Sequence, residues 1–197
     1  MALATLAQLK SQLGIMNSET KYDTKLNLYL NAASDWVETY CDRKFEAANY
    51  VENLCGNKSN FLSPDQWPII SISELRISWD RDWTSSITLI PASDYGISQD
   101  KVGVTYYAGH FPMGFDNVRL SYRAGYETIP SDLQLGVIWA AEWFYLHNNR
   151  GDSGRTTASK QGESVGVLAD IPPMCKAIIE PYRRMDFAVP ALAPSHV

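Results

Sequence analysis

Two serines stand in settings that nucleophilic serines use. Ser153 lies in Gly151-Asp-Ser-Gly154, the quartet that surrounds the nucleophile in one class of serine protease. Ser164 lies in Gly162-Glu-Ser-Val-Gly166, the Gly-x-Ser-x-Gly pattern of a nucleophile elbow. A serine hydroxyl attacks a carbonyl only when an imidazole takes its proton and an acid orients that imidazole. Upstream of Ser153 stand only His110 and His147, neither in the Ala-Ala-His-Cys setting that such a base occupies. An elbow also needs a sharp turn from a strand of a parallel sheet into a helix. Ser164 is instead flanked by a polar stretch and by Asp170-Ile-Pro-Pro173, so no catalytic residue is assigned. A serine hydrolase stays as the weaker alternative.

Metal chemistry fares no better. Cys41, Cys55 and Cys175 are an odd, widely spaced set without a Cys-x-x-Cys pair, and His110, His147 and His196 add no matching spacing. A zinc site needs four clustered ligands; the cysteines read as reduced thiols, not a disulfide frame. Neither metal nor cofactor is expected. Arg150-Gly-Asp152 and Asn57-Lys-Ser59 match an adhesion tripeptide and a glycosylation acceptor, patterns short enough to arise by chance.

The charge balance, 17 basic against 22 acidic residues for a net of −5, argues against tight nucleic-acid binding. Such binding draws most of its affinity from basic side chains neutralising phosphates. No run reaches the ~20 apolar residues that span a bilayer, and no secretory signal is visible at the N-terminus. With 197 residues and 45% hydrophobic content, the chain can bury a sizeable core.

The elements that would position any surface follow from periodicity. Thr5 and Gln8 have capping-box spacing ahead of Leu6, Leu9 and Leu13, with Gly14 as the stop. A second helix is predicted from Thr24 to Cys41, with Asp23 as N-cap. Leu26, Tyr29, Leu30, Ala33, Trp36, Val37 and Tyr40 form its stripe. From Tyr50 to Tyr122 short β-branched and aromatic runs dominate: Glu74–Trp79, Ser86–Ile90 and Val102–Tyr107, with Gly, Pro, Asn and Asp between. Arg150 to Gly166 loses periodicity and reads as a Gly/Ser/Thr-rich loop. A last helix opens near Pro172-Pro173 and is broken or kinked at Pro181. The fold class is α+β: a small helical bundle at both ends of the chain with an inserted antiparallel sheet or sandwich. Residues 1–47 and 124–187 form the helical part, 48–123 the β-rich insertion and 188–197 a tail. Trp139 and Trp143 are expected in the helical core, and Trp67, Trp79 and Trp83 in the sheet region, each more readily core than interface.

The most informative passage runs from Val118 to Leu133. Val118, Leu120 and Tyr122 alternate with Arg119, Ser121 and Arg123 as a two-faced strand. Ala124-Gly125 ends it, and Ser131 and Gln134 have capping-box spacing before a helix, Leu133 to His147, that is apolar nearly all round. One small domain would struggle to cover that helix, and a neighbouring subunit could help.

This passage resembles the signature of bacteriophage head-tail connector (adaptor) proteins: a Val-x-Val-x-Tyr-x-Ala-Gly-Tyr run, then a Pro with an acidic residue, then a long aromatic-rich helix. The resemblance extends to Leu3–Ile15, Asp23–Phe45, Trp67–Ile77 and Ile171–Met185. It implies a structural protein, without a catalytic site, that assembles as a dodecameric ring beneath the portal. Such a ring extends the DNA channel, lets packaged DNA pass without tight binding, and docks a stopper or tail-completion protein. It implies a contact with the portal or neck proteins through Ile178, Tyr182, Arg183 and Arg184. The loop basic residues Arg150, Arg155 and Lys160, which outnumber Asp152 and Glu163, are expected to face a neighbouring protein or the lumen. A β-rich module binding carbohydrate or protein is the main alternative.

Overall fold

The computed structural model describes residues 2–79, 83–84, 86–150, 157–160, 163–166 and 171–184, of which 149, 150, 157–160 and 163–166 as backbone alone. The elements are α1 (Leu6–Leu13), α2 (Asp23–Cys41), β1 (Ala48–Gly56), β2 (Phe61–Leu62), β3 (Ile69–Ser78), β4 (Ile87–Leu89), β5 (Tyr95–Ile97), β6 (Val104–Tyr106), β7 (Gly114–Ala124), α3 (Ser131–Arg150), β8 (Thr157–Lys160), β9 (Glu163–Gly166) and α4 (Pro173–Ile179), followed by a 3₁₀ turn, Glu180–Tyr182. This is the expected α+β class. The chain divides into two compact units: a helical unit from the first 43 residues and those from 135 onward, and a β unit, Lys44–Gln134.

In the helical unit, α1 starts with the anticipated box. The Thr5 hydroxyl accepts from the Gln8 amide and the Gln8 side chain accepts from the Thr5 amide, while Gly14 closes the helix in the left-handed region. The stripe of α2 is buried at Leu26, Leu30, Ala33 and Val37. Its start differs from expectation. The cap position is Tyr22, without a side-chain cap bond, and Asp23 is the first helical residue. The Asp23 carboxylate is used elsewhere: it pairs with Lys10, whose ammonium is buried and also donates to the carbonyls of Asn17 (3.3 Å) and Glu19 (2.8 Å). A buried ammonium requires such partners, and this need outweighs a cap.

The capping box at α3 is likewise displaced. Ser131 is already helical, and the Gln134 side-chain amide donates to the Ile129 carbonyl at 2.8 Å. Helix α3 packs closely on α4 at Gly136, where an added Cβ would stand 2.6 Å from a methyl of Ile179 and 2.9 Å from one of Ile178. As Pro181 dictates, the α-helical part of the last helix stops at Ile179 and a 3₁₀ turn carries on.

The segment read as an irregular loop holds a hairpin. β8 and β9 pair antiparallel with Thr157 opposite Gly166 and Lys160 opposite Glu163, forming a two-stranded sheet of their own. At four residues each, Thr157–Lys160 and Glu163–Gly166 are too short to show a two-residue period in the sequence. The remaining signal was two short segments separated by Gln161-Gly162, a two-residue hairpin spacing with a glycine.

The β unit contains a four-stranded sheet, order β1-β7-β3-β4, and a three-stranded sheet, order β2-β6-β5, with antiparallel pairing throughout. β7 is central. As its alternation requires, Val118, Leu120 and Tyr122 are buried and the residues between them are half-exposed. They share one core with Leu75 and Ile77 of β3 and with Leu62, Val104 and Phe111 from the second sheet's side. Each such side chain removed from water contributes about 1.5–3 kcal/mol. Trp79 departs from the expectation of core: it is 68% exposed, with its indole donating to the Thr88 hydroxyl.

The Tyr-Arg-Ala-Gly-Tyr run has a definite mechanical role here. The Tyr122 phenol donates to the Glu52 carboxylate and accepts from the Gln66 amide at 3.2 Å. Gly125 takes φ +111°, and a Cβ there would meet the Glu46 carbonyl at 2.5 Å. That closeness lets Tyr126 donate to the Phe45 carbonyl (2.7 Å) and accept from the Ala47 amide (3.2 Å), a parallel bridge between Glu46 and Tyr126. Within the β unit the chain thus passes Glu46 and Tyr126 side by side.

Candidate functional site

The C-terminal residues singled out by the resemblance gather beside the end of α2. Helix α2 closes with Asp42 in the left-handed region (φ 51°), which turns the chain so that the Cys41 carbonyl accepts from the Arg184 amide at 2.9 Å. The Arg184 guanidinium lies 3.7 Å from the Asp42 carboxylate. Arg183 lies 3.6 Å from Glu180 and 5.5 Å over the Tyr40 ring, and that ring stacks on Trp36. The Tyr40 phenol donates to Glu180, and this bond to a carboxylate, followed by partial burial, raises the phenol above its ordinary range. The Cys41 thiol, buried against the Ile179 carbonyl, is pushed up to about 11 by desolvation, which leaves it a neutral packing group.

Chemically this cluster is a surface. It alternates charge over a few ångströms (Asp42, Arg184, Glu180, Arg183) around an aromatic pair, with the polar ends in water. Ile178 stands half-buried with its methyl over Gly136, and Tyr182 is half-buried. Sequence reasoning named Tyr182, Arg183 and Arg184 but missed Tyr40, Asp42 and Glu180. Their partnership joins residues about 140 positions apart, and no local spacing reveals such a pair.

The other expected residues are scattered. Arg150 is the last residue of α3, Lys160 the last of β8, and Arg155 lies outside the described residues. Ser164 stands in β9 opposite Ser159 in an antiparallel hairpin, not on a strand-to-helix elbow, while Ser153 lies outside the described residues. His147 packs its ring 4.1 Å from that of Trp143. Among the described residues no cluster of three or more His, Cys, Asp or Glu could hold a metal ion, and no helix is long and apolar enough to cross a membrane.

The four-stranded sheet also carries paired arginines. Arg76 and Arg119 are cross-strand partners. Arg119 bonds Asn53 at 2.9 Å and lies 3.9 Å beneath the Trp83 ring, and Arg76 pairs with Glu74 at 2.6 Å.

A family model described as head completion protein matches residues 2–185. No curated protein matches the chain. Among solved structures, a chain from the neck of an empty GTA particle computed with C6 symmetry agrees with a TM-score of 0.60 at 18% identity, over 94% of this chain and 92% of that one. A chain from the neck of a native GTA particle, computed with C12 symmetry, gives 0.56 at 16% identity over 91% and 88%. A chain from the virion of a native gene transfer agent particle gives 0.56 at 18% identity, again over 91% and 88%. The fold is thus shared, along nearly its whole length, with chains from the neck and virion of gene transfer agent particles. The chain belongs to the head completion protein family.

Proposed function

We propose that copies of this chain form a ring beneath the portal, extend the DNA channel and present a docking surface to a stopper or tail-completion protein. The observation that carries this is the near end-to-end fold agreement with neck chains of particles computed with C6 and C12 symmetry, which favours a dodecamer. The net charge of −5 suits a conduit through which DNA slides without being held. The cluster of Tyr182, Arg183 and Arg184 beside Tyr40 and Asp42 is the portal-facing contact. Its ion pairs are half to largely exposed and contribute at most about 1 kcal/mol each to the fold, so a partner can compete for these charges at little cost to the fold.

Mixing the purified chain with its cognate portal and imaging the product tests this. Rings should cap the portal. The Arg183→Ala, Arg184→Ala double variant should stay folded while losing portal capture. Wild-type protein that never forms a ring with the portal would overturn the reading.

A further inference from the structure

Among the described residues, two parts of this chain carry strand edges to which no further strand is paired. The first is β1. It is the outermost strand of its sheet, nine residues long, and pairs only with β7. The other edges in the β unit, β4, β5 and β2, are two or three residues long. Long exposed edges are normally guarded by Lys, Pro or an inward charge, because they invite another strand. β1, Ala-Asn-Tyr-Val-Glu-Asn-Leu-Cys-Gly, has no Pro, Lys or Arg, and its one bulge falls between Leu54 and Gly56, which leaves Ala48–Leu54 in unbroken register. Its one charge, Glu52, is engaged by the Tyr122 hydroxyl and the Asp65 amide. Val51 is 67% exposed, and Ala48, Asn49, Asn53 and Cys55 are exposed with it. The second part is the β8–β9 hairpin, a two-stranded sheet that joins neither of the others. A two-stranded hairpin alone is at best marginally stable in water and gains independence only from further strands or packing.

We propose that the β8–β9 hairpin of one copy adds to the free edge of β1 in the adjacent copy, extending the four-stranded sheet across the subunit boundary. The two halves of the contact are different patches of the same chain, so the contact is head-to-tail, the kind that closes into rings and not into two-fold pairs. Main-chain hydrogen bonds supply the affinity, as in other strand additions. A second copy is favoured over an outside partner because both incomplete halves are supplied by one sequence. The inference rests on the ring reading above and names which elements build the ring.

The test uses the exposed native Cys55 of β1; Cys41 and Cys175 are buried. One population carries Cys55→Ser together with a single cysteine placed in turn at Thr157, Ala158, Ser159, Lys160, Glu163, Ser164, Val165 or Gly166. The other population is wild type. Mixed rings are assembled on the portal and oxidised. A disulfide between the two populations must join different copies. Such mixed dimers should appear for at least one hairpin position and be absent for a control cysteine at the exposed Leu28 on α2. Rings that form normally but yield no hairpin–Cys55 dimer at any position overturn this inference and leave the ring reading intact. Absence of rings from wild-type protein overturns both. Exchange of residues 157–166 for a Gly/Ser segment of equal length should abolish ring formation while the far-ultraviolet spectrum keeps its helical signature; normal rings from that variant would also defeat the proposal.

Discussion

At the scale of single residues, the positions that matter most are those where one atom decides a packing distance. Gly136 is such a place, with methyls of Ile178 and Ile179 against it. Gly136→Val should destabilise the protein by about 1–3 kcal/mol through overpacking, seen as a lower denaturant midpoint with an unchanged slope. Tyr122 is another. Burial first, and then the bond to Glu52, raise its phenol well above the ordinary value. A phenol whose folded-state pKa exceeds its unfolded value adds stability that is complete below the unfolded pKa of about 10 and is lost as pH rises beyond it. Tyr122→Phe should therefore cost about 1–3 kcal/mol at neutral pH, because the Glu52 carboxylate and the Gln66 amide lose their partner. Its stability should also fall less steeply than that of wild type above that pH. Equal slopes in chemical denaturation at alkaline pH would show that Tyr122 does not carry the effect.

At the scale of elements, agreement between local pattern and global fold decided what could be read. The β7 alternation, the α2 stripe, the Thr5 box and the break at Pro181 are all local signals that tertiary packing reinforces. The failures share a cause, which is a partner in the folded chain overriding a local rule. Asp23 does not cap α2 because Lys10 is buried against it. The side-chain amide of Gln134 turns to the Ile129 carbonyl, and the weakly patterned hairpin is defined by pairing alone. At the candidate site, Tyr182, Arg183 and Arg184 stood out through the resemblance, whereas the α2 residues they lie beside did not, since Tyr40 and Asp42 look like an ordinary helix end. The Lys10 staple gives a direct test. Lys10→Met should cost about 3 kcal/mol, the low end for breaking a buried pair, because 28% of the Asp23 side chain stays exposed. Adding Asp23→Leu should recover part of the loss in thermal unfolding, and a double variant no better than the single one would exclude an uncompensated Asp23 charge as its source.

At the scale of the whole molecule, the chain is two units, of which the β unit has a core drawn from both of its sheets. Residues Lys44–Gln134 expressed alone should fold cooperatively, with a single denaturant transition and dispersed amide resonances. A non-cooperative, ANS-binding species would mean that this core depends on the rest of the chain.

The bridge between Glu46 and Tyr126 carries a further meaning for the gene. Closing a chain segment costs free energy according to how far apart its ends must be held, and the cost rises only slowly with the number of residues between them. Here the strands entering and leaving the insertion run side by side. Codons between those two points can be lengthened, trimmed or exchanged by recombination while the flanking helices see the same two neighbouring ends. Length changes between Glu46 and Tyr126 should therefore leave the folding of the flanking helices unchanged.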